Sequence, residues 1–477
     1  MHIICTNGSP IVDTLDHLPF LPLFIDYRDI TATTRQDELA IRQALLLRDR
    51  VRHIDLHLPP SILHTCLPLM DEPFSTLEYL SLSYANDGDE SLVLPKTFLA
   101  PNLRYLSLFG IDIPERLRLL SSAVSLVTLV LTDIRESGYF LPRLLAARLQ
   151  SLPQLENVSI GFSVPMPSPS AQMELLNERG ATVTLPNLTY LAFQGVSAYL
   201  ECFVAQIGTP RLDRLDITLF NQASFELPHL SHFTNKIEAL KFPTAKVRFG
   251  RDSVSVTTEN QNTRQHDGRF SLNLMGRQLN WQINRAAQIC SALTPVLFGV
   301  EELRFTFYEE LMPMEWQNGE IDGTTWHRLL RVFAGVKNLH ICAALSHELS
   351  RALQVDDIGS DPNLLPSLRE IVSEFEGVGA EYLFHSFICA RRIMGNRVRY
   401  QPSTYKARAR YACASSGSFP SPNQTTIVLT RDIAATDTAP PDDPNEVSFA
   451  KDEILDIVDA TGMWWQAEKD DGTHGSM

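Results

Sequence analysis

One six-residue unit, apolar-x-x-apolar-x-apolar, recurs along most of this chain of 477 residues. Its copies begin at Val51, Leu77, Leu103, Leu126, Leu155, Leu188, Leu212, Ile237, Val300, Val336 and Leu368. Successive copies begin 23 to 36 residues apart, except for one step of 63 residues between Ile237 and Val300. The last two apolar positions of each unit lie two residues apart, so they share one face of a short strand, and the first position lies in the turn before it.

A period in this range is typical of leucine-rich repeats, whose strands stack into a parallel sheet and bury one apolar face under the returning helices. The segments between the units support such helices, since Pro142–Gln150 (PRLLAARLQ) opens with proline at a first-turn position and continues in helix-forming residues. The alternative is a generic α/β domain, but a doubly wound fold would carry a GxGxxG or GxxxxGKS/T loop, which the sequence lacks. We therefore predict an α/β fold, an irregular leucine-rich-repeat solenoid of parallel strands and helices over residues 21–400.

The 63-residue step has a different pattern. Residues 246–280 contain alternating apolar and polar runs, VRF, VSVTT and FSLNL, around a polar Asn-Gln-Asn-Thr loop. Alternation with period two indicates strands, so we predict an inserted β-hairpin, or two of them, here.

Composition narrows the classes of partner and compartment. The net charge is −15, so nucleic acid is not expected as a main partner. No apolar run is long enough for a membrane span, and no signal peptide is recognisable. The seven cysteines include no CxxC pair, which predicts a reducing compartment, the cytoplasm with the nucleus as an alternative, and neither disulfides nor a zinc site.

From Leu15 to about Val398 the chain resembles basidiomycete F-box-associated, leucine-rich-repeat-like proteins. The resemblance is carried by phrases such as LPLFIDY (Leu21–Tyr27), LEYLSL (Leu77–Leu82) and LPQLENV (Leu152–Val158). It implies a solenoid that holds protein substrates for an SCF-type ubiquitin ligase, with the F-box docking on the Skp adaptor. Residues 1–20 have no Leu-Pro-x-Glu opening, so we interpret them as an N-terminal remnant without the F-box and expect adaptor docking to be impaired.

Aromatic and charged strand positions are the candidate client contacts of the solenoid. We select Tyr79, Arg104, Tyr105 and Tyr190, which lie at or beside the predicted strands. The alternative is that these repeat tyrosines pack structurally.

The C-terminal part resembles an SH3 domain, closest to the C-terminal SH3 domain of fungal high-osmolarity membrane osmosensors. Residues 409–413 (ARYAC) stand where SH3 domains carry ALYDY, residues 446–449 (EVSF) match the ELSF strand, and the paired Trp464 and Trp465 match the groove tryptophans. The resemblance implies that Tyr411 and Trp464 pack against a polyproline II ligand, and that acidic side chains pair with its flanking base. Those acidic residues are Asp442, Asp443 and Glu446.

The SH3-like region is predicted to be interrupted and truncated. It occupies residues 401–415 and 439–477, with residues 416–438 as a disordered insert, and it lacks the closing Pro-Ser-Asn-Tyr segment. We therefore predict a small, incomplete all-β barrel whose binding of Pro-rich peptides is weak or absent. Between Phe387 and Thr430 the chain carries seven bases and no acid, which indicates a solvated linker or a partner for the acidic tail, with a nucleic-acid patch as the alternative.

No motif for catalysis is present. The sequence lacks a GxSxG elbow, an HExxH helix and the kinase loops, so we predict a protein that is not an enzyme and has no cofactor or metal. His229 and His232, beside Pro228, are interpreted as loop packing. The predicted function is client recognition by the solenoid. The alternatives are an SH3 adaptor in osmotic-stress signalling and a fusion product without a working site at either end.

Overall fold

The computed structural model describes twelve stretches of the chain and four short C-terminal strands. The stretches are residues 3–7, 21–28, 33–84, 92–113, 118–163, 182–222, 225–259, 269–276, 279–307, 323–354, 364–374 and 380–402. The chain divides into two compact units, Met1–Tyr405 and Lys406–Met477.

The helices of the first unit connect its strands. They are α1 (Arg35–Leu46), α2 (Pro60–Cys66), α3 (Arg118–Ser122), α4 (Pro142–Gln150), α5 (Ser197–Val204), α6 (Pro228–Asn235), α7 (Leu279–Ala292), α8 (Thr294–Leu297), α9 (Gly323–Val332), α10 (Ser346–Leu353), α11 (Ala380–Leu383) and α12 (His385–Ile393). Short 3-10 turns occupy Leu67–Met70, Glu136–Gly138, Glu238–Leu240 and Ala343–Leu345.

The described residues of the first unit form twenty strands. They are β1 (Ile3–Cys5), β2 (Leu23–Tyr27), β3 (Val51–Leu58), β4 (Tyr79–Tyr84), β5 (Leu92–Val93), β6 (Tyr105–Phe109), β7 (Ile111–Asp112), β8 (Thr128–Ile134), β9 (Asn157–Phe162), β10 (Val183–Thr184), β11 (Tyr190–Gly195), β12 (Ile207–Gly208), β13 (Arg214–Leu219), β14 (Thr244–Phe249), β15 (Ser253–Glu259), β16 (Arg269–Met275), β17 (Glu302–Phe307), β18 (Asn338–Ile341), β19 (Glu370–Ser373) and β20 (Arg399–Pro402). Sixteen of these strands lie in the order β1-β2-β3-β4-β6-β8-β9-β11-β13-β16-β15-β14-β17-β18-β19-β20. Two small pairs, β5-β7 and β10-β12, lie outside this sheet.

The parallel sheet confirms the predicted α/β leucine-rich-repeat-like solenoid. In the repeat that begins at Leu77, Leu80 and Leu82 are buried on strand β4, and Leu77 is buried in the turn before it. Strand β4 pairs in parallel with β3 and β6, the strands of the repeats on either side. Each repeat thus buries its apolar face only because its neighbours continue the sheet.

The connecting helices follow the local signals in the sequence. Helix α4 begins at Pro142 and ends at Gln150, which confirms the predicted bounds. Helix α1 has a capping box, in which the Thr34 side chain accepts a hydrogen bond from the backbone N–H of Asp37 and the Asp37 carboxylate accepts one from the backbone N–H of Thr34. These helices bury apolar residues such as Leu45 and Leu145 against one face of the sheet.

The predicted unit at Ile237 is not a strand. Residues Glu238–Leu240 form a 3-10 turn, and the strand of this repeat, β14, begins at Thr244. Pro243 precedes the strand and has no N–H to donate to a neighbouring strand, which explains why the strand begins at Thr244, directly after the proline. The backbone carbonyl of Pro243 instead accepts hydrogen bonds from the N–H groups of Glu301 and Glu302.

The hairpin predicted at 246–280 is part of the main sheet. Strand β15 is antiparallel to both β14 and β16, as a double hairpin requires. Its outer strands pair in parallel with the repeats on both sides, β16 with β13 and β14 with β17. The 63-residue step therefore adds strands to the sheet without interrupting it.

Two segments that were predicted to lie outside the solenoid and the SH3-like region contain strands. Within residues 1–20, Ile3–Cys5 forms the first strand of the sheet and pairs in parallel with β2. Within residues 416–438, Thr425–Ile427 forms strand β21 of the second unit. It joins an antiparallel sheet with β22 (Leu455–Asp459), β23 (Gln466–Lys469) and β24 (His474–Ser476), in the order β21-β22-β23-β24.

Candidate protein-binding face

The side chains of the main sheet alternate between two environments. On β4, for example, Leu80 and Leu82 are buried, whereas Tyr79, Ser81 and Ser83 are half-buried. We call the surface formed by these alternate, half-buried side chains the open face. One row of the open face runs across nine neighbouring strands through Ile4, Phe24, His53, Tyr79, Tyr105, Thr128, Asn157, Tyr190 and Arg214.

Four rings of this row stack on one another and form an aromatic ladder, defined as Phe24, His53, Tyr79 and Tyr105. The ring centroids of Phe24 and His53 are 5.4 Å apart, and those of His53 and Tyr79 are 4.1 Å apart. The ring centroids of Tyr79 and Tyr105 lie 4.3 Å apart and the rings are nearly parallel, with an interplanar angle of 3°. The spacing matches the distance between neighbouring strands, so the parallel register itself brings the rings together.

Charged groups lie beside the ladder. The Arg28 guanidinium bridges the carboxylates of Asp26 and Asp55, with N–O distances of 3.0 Å to each. Burial lowers the pKa of His53, and it raises the pKa of Tyr79 to about 12. Near neutral pH the ladder is therefore an uncharged aromatic strip flanked by a paired cation and two acids.

Tyr190 has its own partners. Its hydroxyl group donates a hydrogen bond to Asp216 Oδ2 at 3.0 Å, and the Arg214 guanidinium lies 4.6 Å from the centroid of its ring. Arg214 also pairs with Asp216, at 2.8 Å. This second cluster lies on β11 and β13, three strands beyond the ladder.

The structure brings together some of the predicted contact residues. Tyr79 and Tyr105 are direct neighbours, whereas Tyr190 lies in the separate cluster. Arg104 is exposed at the start of β6, and no partner of its side chain is recorded in the described stretches. Sequence reasoning did not select Phe24 or His53 as contact residues.

A signal for the whole row exists in the sequence. Tyr79, Tyr105, Tyr190 and His53 all stand two residues after the first apolar residue of their repeat. The third position of each unit that forms a strand thus enters the same row of the open face, provided that the strands pair without a shift in register.

We expect the ladder to contribute to stability as well as to the surface. Replacing Tyr79 by alanine removes two stacked contacts and is expected to lower the free energy of unfolding by about 1–3 kcal/mol, since an aromatic pair contributes about 0.5–1.5 kcal/mol. Urea denaturation of the whole chain measures the change. Arg104→Ala is the control, and we expect it to leave the unfolding midpoint nearly unchanged because this side chain is exposed. An unchanged midpoint for Tyr79→Ala would show that the stacking is energetically unimportant.

The predicted SH3 groove residues cannot be placed. Tyr411, Asp442, Asp443, Glu446 and Trp464 all lie outside the described residues. The strands of the second unit that are described, β21 to β24, are antiparallel throughout.

The histidine pair is held in a helix and not in the predicted loop. His229 and His232 lie on helix α6, which begins at Pro228. The backbone N–H of His229 donates to a carboxylate oxygen of Glu201 at 2.7 Å. Proline at the first helical position favours helix initiation, which the loop interpretation overlooked. Across the described stretches, no group of three or more His, Cys, Asp and Glu side chains is arranged to hold a metal ion.

Comparison with known proteins identifies a similarity at the C-terminus. No family model matches the chain. A C-terminal segment of 38 residues is 66% identical to the high osmolarity signaling protein SHO1 of Schizophyllum commune, and covers 8% of this chain and 12% of that protein. A 37-residue match to the protein of the same name from Blastomyces gilchristii is 62% identical. The chain thus spans 12% of the length of these curated relatives.

A solved structure aligns with the greater part of the chain. The leucine-rich repeat-containing protein LegL7 of Legionella pneumophila aligns over 81% of this chain and 97% of its own length, with 10% identity and a TM-score of 0.27. No helix in the described part of the chain is long and apolar enough to cross a membrane.

Proposed function

We propose that this chain is a non-enzymatic protein-interaction protein whose open face binds a protein client. The observation that supports this proposal is the row of half-buried aromatic and charged side chains in register along the sheet, with the aromatic ladder at one end. Along β4 and β6 the alternate leucines are fully buried, whereas Tyr79 and Tyr105 of the row remain partly accessible.

The chemistry of the open face suits a protein partner. Tyrosine and arginine are the residue types that most often contribute strongly to binding between proteins, and both are present on the row. The ladder is already stacked in the free chain, so its side chains would lose little conformational freedom when a client binds. The paired charges of Arg28, Asp26 and Asp55 would orient such a client.

The finer proposal is that the client is a substrate of an SCF-type ubiquitin ligase. It rests on the resemblance of residues 15–398 to F-box-associated proteins. Within this proposal the solenoid holds the substrate, and the ligase must be recruited through the Skp adaptor.

The second candidate function is that of an SH3 adaptor in osmotic-stress signalling. The 66% identity over 38 residues to the high osmolarity signaling protein supports it. In this alternative the C-terminal unit binds a Pro-rich peptide through Tyr411 and Trp464, and the solenoid has another role.

One purification experiment distinguishes these proposals. Tagged full-length chain and its Arg104→Glu variant are purified from fungal extract, and the co-purifying proteins are quantified by mass spectrometry. We expect at least one protein to be depleted about tenfold by Arg104→Glu, because the charge of an exposed side chain next to Tyr105 of the ladder is reversed. Arg251→Glu, which reverses an exposed charge in the β14–β15 turn, is the matched control and should retain that protein.

The identity of the recovered proteins decides between the alternatives. The Skp adaptor among them would support the ligase role, and a Pro-rich scaffold that is lost on Trp464→Lys would support the adaptor role. Identical recovery from the wild type and from both the Arg104→Glu and Trp464→Lys variants would contradict both functions and favour a fusion product without a working site.

A further inference from the structure

The last three repeats of the solenoid enclose a second candidate site. A pocket of about 1310 Å³ lies between the turns that precede strands β18, β19 and β20. Five cationic side chains line it, namely Lys337, Arg369, Arg392, Arg397 and Arg399. Glu370 is the one acidic residue of its described lining, so the pocket is strongly cationic within a chain whose net charge is −15.

Strand pairing brings three of these cations to the same end of the sheet's last three strands. The backbone N–H of Arg369 donates to the carbonyl of Lys337 at 2.8 Å, and the N–H of Arg399 donates to the carbonyl of Arg369 at 2.8 Å. Lys337 and Arg369 immediately precede β18 and β19, and Arg399 is the first residue of β20, in register with Glu370. The three residues therefore lie at the same end of neighbouring strands, which are about 4.8 Å apart.

The end of helix α12 closes the other side of the pocket. Gly395 has a φ of +84°, a left-handed conformation that glycine adopts without strain. The N–H groups of Gly395 and Asn396 donate to the carbonyls of Arg392 and Arg391, which forms a Schellman motif. The motif ends the helix, and its two hydrogen bonds satisfy two terminal carbonyl groups whose oxygens would otherwise repel an anion. It also turns the chain so that Arg392 and Arg397 both line the pocket.

A buried arginine fixes the wall. Arg391 is 1% exposed, and its Nη2 donates to the backbone carbonyls of Leu365 at 3.1 Å and Pro366 at 2.8 Å. Leu365 has a φ of +53°, an unfavourable conformation for a leucine, which these hydrogen bonds help to hold. The turn that carries Arg369 is thus clamped to the helix that carries Arg392.

The pocket arginines are available for a ligand. Lys337 pairs with Glu301, at 2.6 Å, and that pair is exposed. The arginines at 369, 392, 397 and 399 form no ion pair with a carboxylate of the described residues, and all four are exposed. Like charges held this close repel one another, and a bound anion would relieve that repulsion.

We propose that this pocket binds a phosphate-bearing ligand. A phosphate monoester carries close to two negative charges near neutral pH and presents three oxygen acceptors. The planar guanidinium group matches these oxygens with two parallel hydrogen bonds, which favours arginine over lysine in such sites. The concave shape and the negative net charge of the chain favour a compact anion over an extended polyanion such as nucleic acid.

The site does not depend on client binding by the open face. It is adjacent to that face, because Asn338, Glu370 and Arg399 are aligned across β18, β19 and β20 and also line the pocket. The phosphate could belong to a free compound or to a phosphorylated residue of a partner, and the two sources share the same chemistry.

Direct titration of the full-length chain tests the proposal. Calorimetry measures the affinity for inorganic pyrophosphate, which represents a free phosphate compound. Fluorescence anisotropy measures the affinity for a labelled peptide library in which one position is always phosphoserine, which represents a phosphorylated partner. The same library with serine at that position is the reference. We expect saturable binding of at least one phosphate probe. Arg369→Gln and Arg399→Gln should each weaken it about tenfold, as the loss of a charge-assisted hydrogen bond does. Glu370→Gln should tighten binding, and Arg251→Gln should leave it unchanged.

Each outcome bears on the proposal. Equal affinity for pyrophosphate and phosphopeptide would support a free phosphate compound, and preference for the phosphopeptide over its serine counterpart would support a phosphorylated partner. The proposal is overturned if neither probe binds saturably, if Arg369→Gln and Arg399→Gln bind like Arg251→Gln, or if single-stranded DNA binds more tightly than both probes. The substituted arginines are exposed and Glu370 is half-buried, and circular dichroism verifies that each variant is folded.

Discussion

Replacement of Trp326 by alanine is expected to lower the free energy of unfolding by about 3–5 kcal/mol, the range for a large aromatic side chain removed from a packed core. Trp326, on α9, is 1% exposed and is the largest fully buried side chain of the described residues. Its ring meets Phe249 and Phe305 edge to face, with centroids 5.7 Å and 5.6 Å away. These phenylalanines lie on β14 and β17, so the indole packs where the double hairpin joins the following repeat. The cavity would remove the packing partner of both phenylalanine rings at this junction.

Trp326→Phe is the matched control for this prediction. No hydrogen-bond partner of the Trp326 indole N–H is found in the described stretches, so phenylalanine would remove no such bond and would retain edge-to-face packing. We expect well under half of the loss seen for alanine, measured by urea denaturation with an unchanged dependence of the unfolding free energy on urea. Equal losses for alanine and phenylalanine would show that the indole has a specific polar role.

The repeat predicted the part of the fold that depends on local pattern. Leucines spaced three and two apart identify a strand and its preceding turn, which is why β4 and β6 lie where the pattern places them. The pattern failed at Ile237, since it does not register that Pro243 lacks the N–H a strand requires. It also could not show that the hairpin strands join the main sheet, because strand pairing depends on contacts distant in sequence.

The candidate sites were predictable to different degrees. Tyr79 and Tyr105 stand at the same position of consecutive repeats. Their proximity can therefore be predicted from the sequence if the strands are assumed to pair in parallel without a shift in register. The pocket is different, because Lys337, Arg369 and Arg392 come from three separate segments and meet only through strand order and the end of α12. Sequence reasoning found the acid-free stretch that supplies Arg392, Arg397 and Arg399, but it did not indicate that they line a concave site.

Replacement of Glu201 by alanine is expected to destabilise the solenoid by about 1–3 kcal/mol, the cost of leaving the buried N–H of Leu230 without an acceptor. Glu201, on α5, is 8% exposed and accepts hydrogen bonds from the N–H groups of His229 at 2.7 Å and Leu230 at 2.8 Å. Both donors belong to the first turn of α6, whose N-cap residue, Leu227, has no side-chain acceptor. A carboxylate from the preceding helix thus serves as the cap.

Glu201→Gln separates hydrogen bonding from charge. Glutamine has one acceptor oxygen, so we expect it to satisfy one of the two N–H groups and to lose less stability than alanine. The comparison uses urea denaturation at neutral pH, with Glu238→Gln, a change at a well-exposed carboxylate, as the control. If alanine and glutamine cost the same, the hydrogen bond that glutamine retains would contribute nothing.

The pH dependence of the Glu201→Gln effect tests the electrostatic balance at this cap. Burial raises the pKa of the Glu201 carboxyl, although the N–H groups of Leu230 and His229 act in the opposite direction. Because the folded pKa is above the unfolded one, the stability gained by protonation is fully present below the unfolded pKa and is lost as pH rises through the folded pKa. The wild type should therefore gain stability relative to Glu201→Gln as pH falls from about 7 to about 4, the ordinary pKa range of a glutamate. A relative loss on acidification would instead show that the two hydrogen bonds to the carboxylate outweigh the cost of burying its charge.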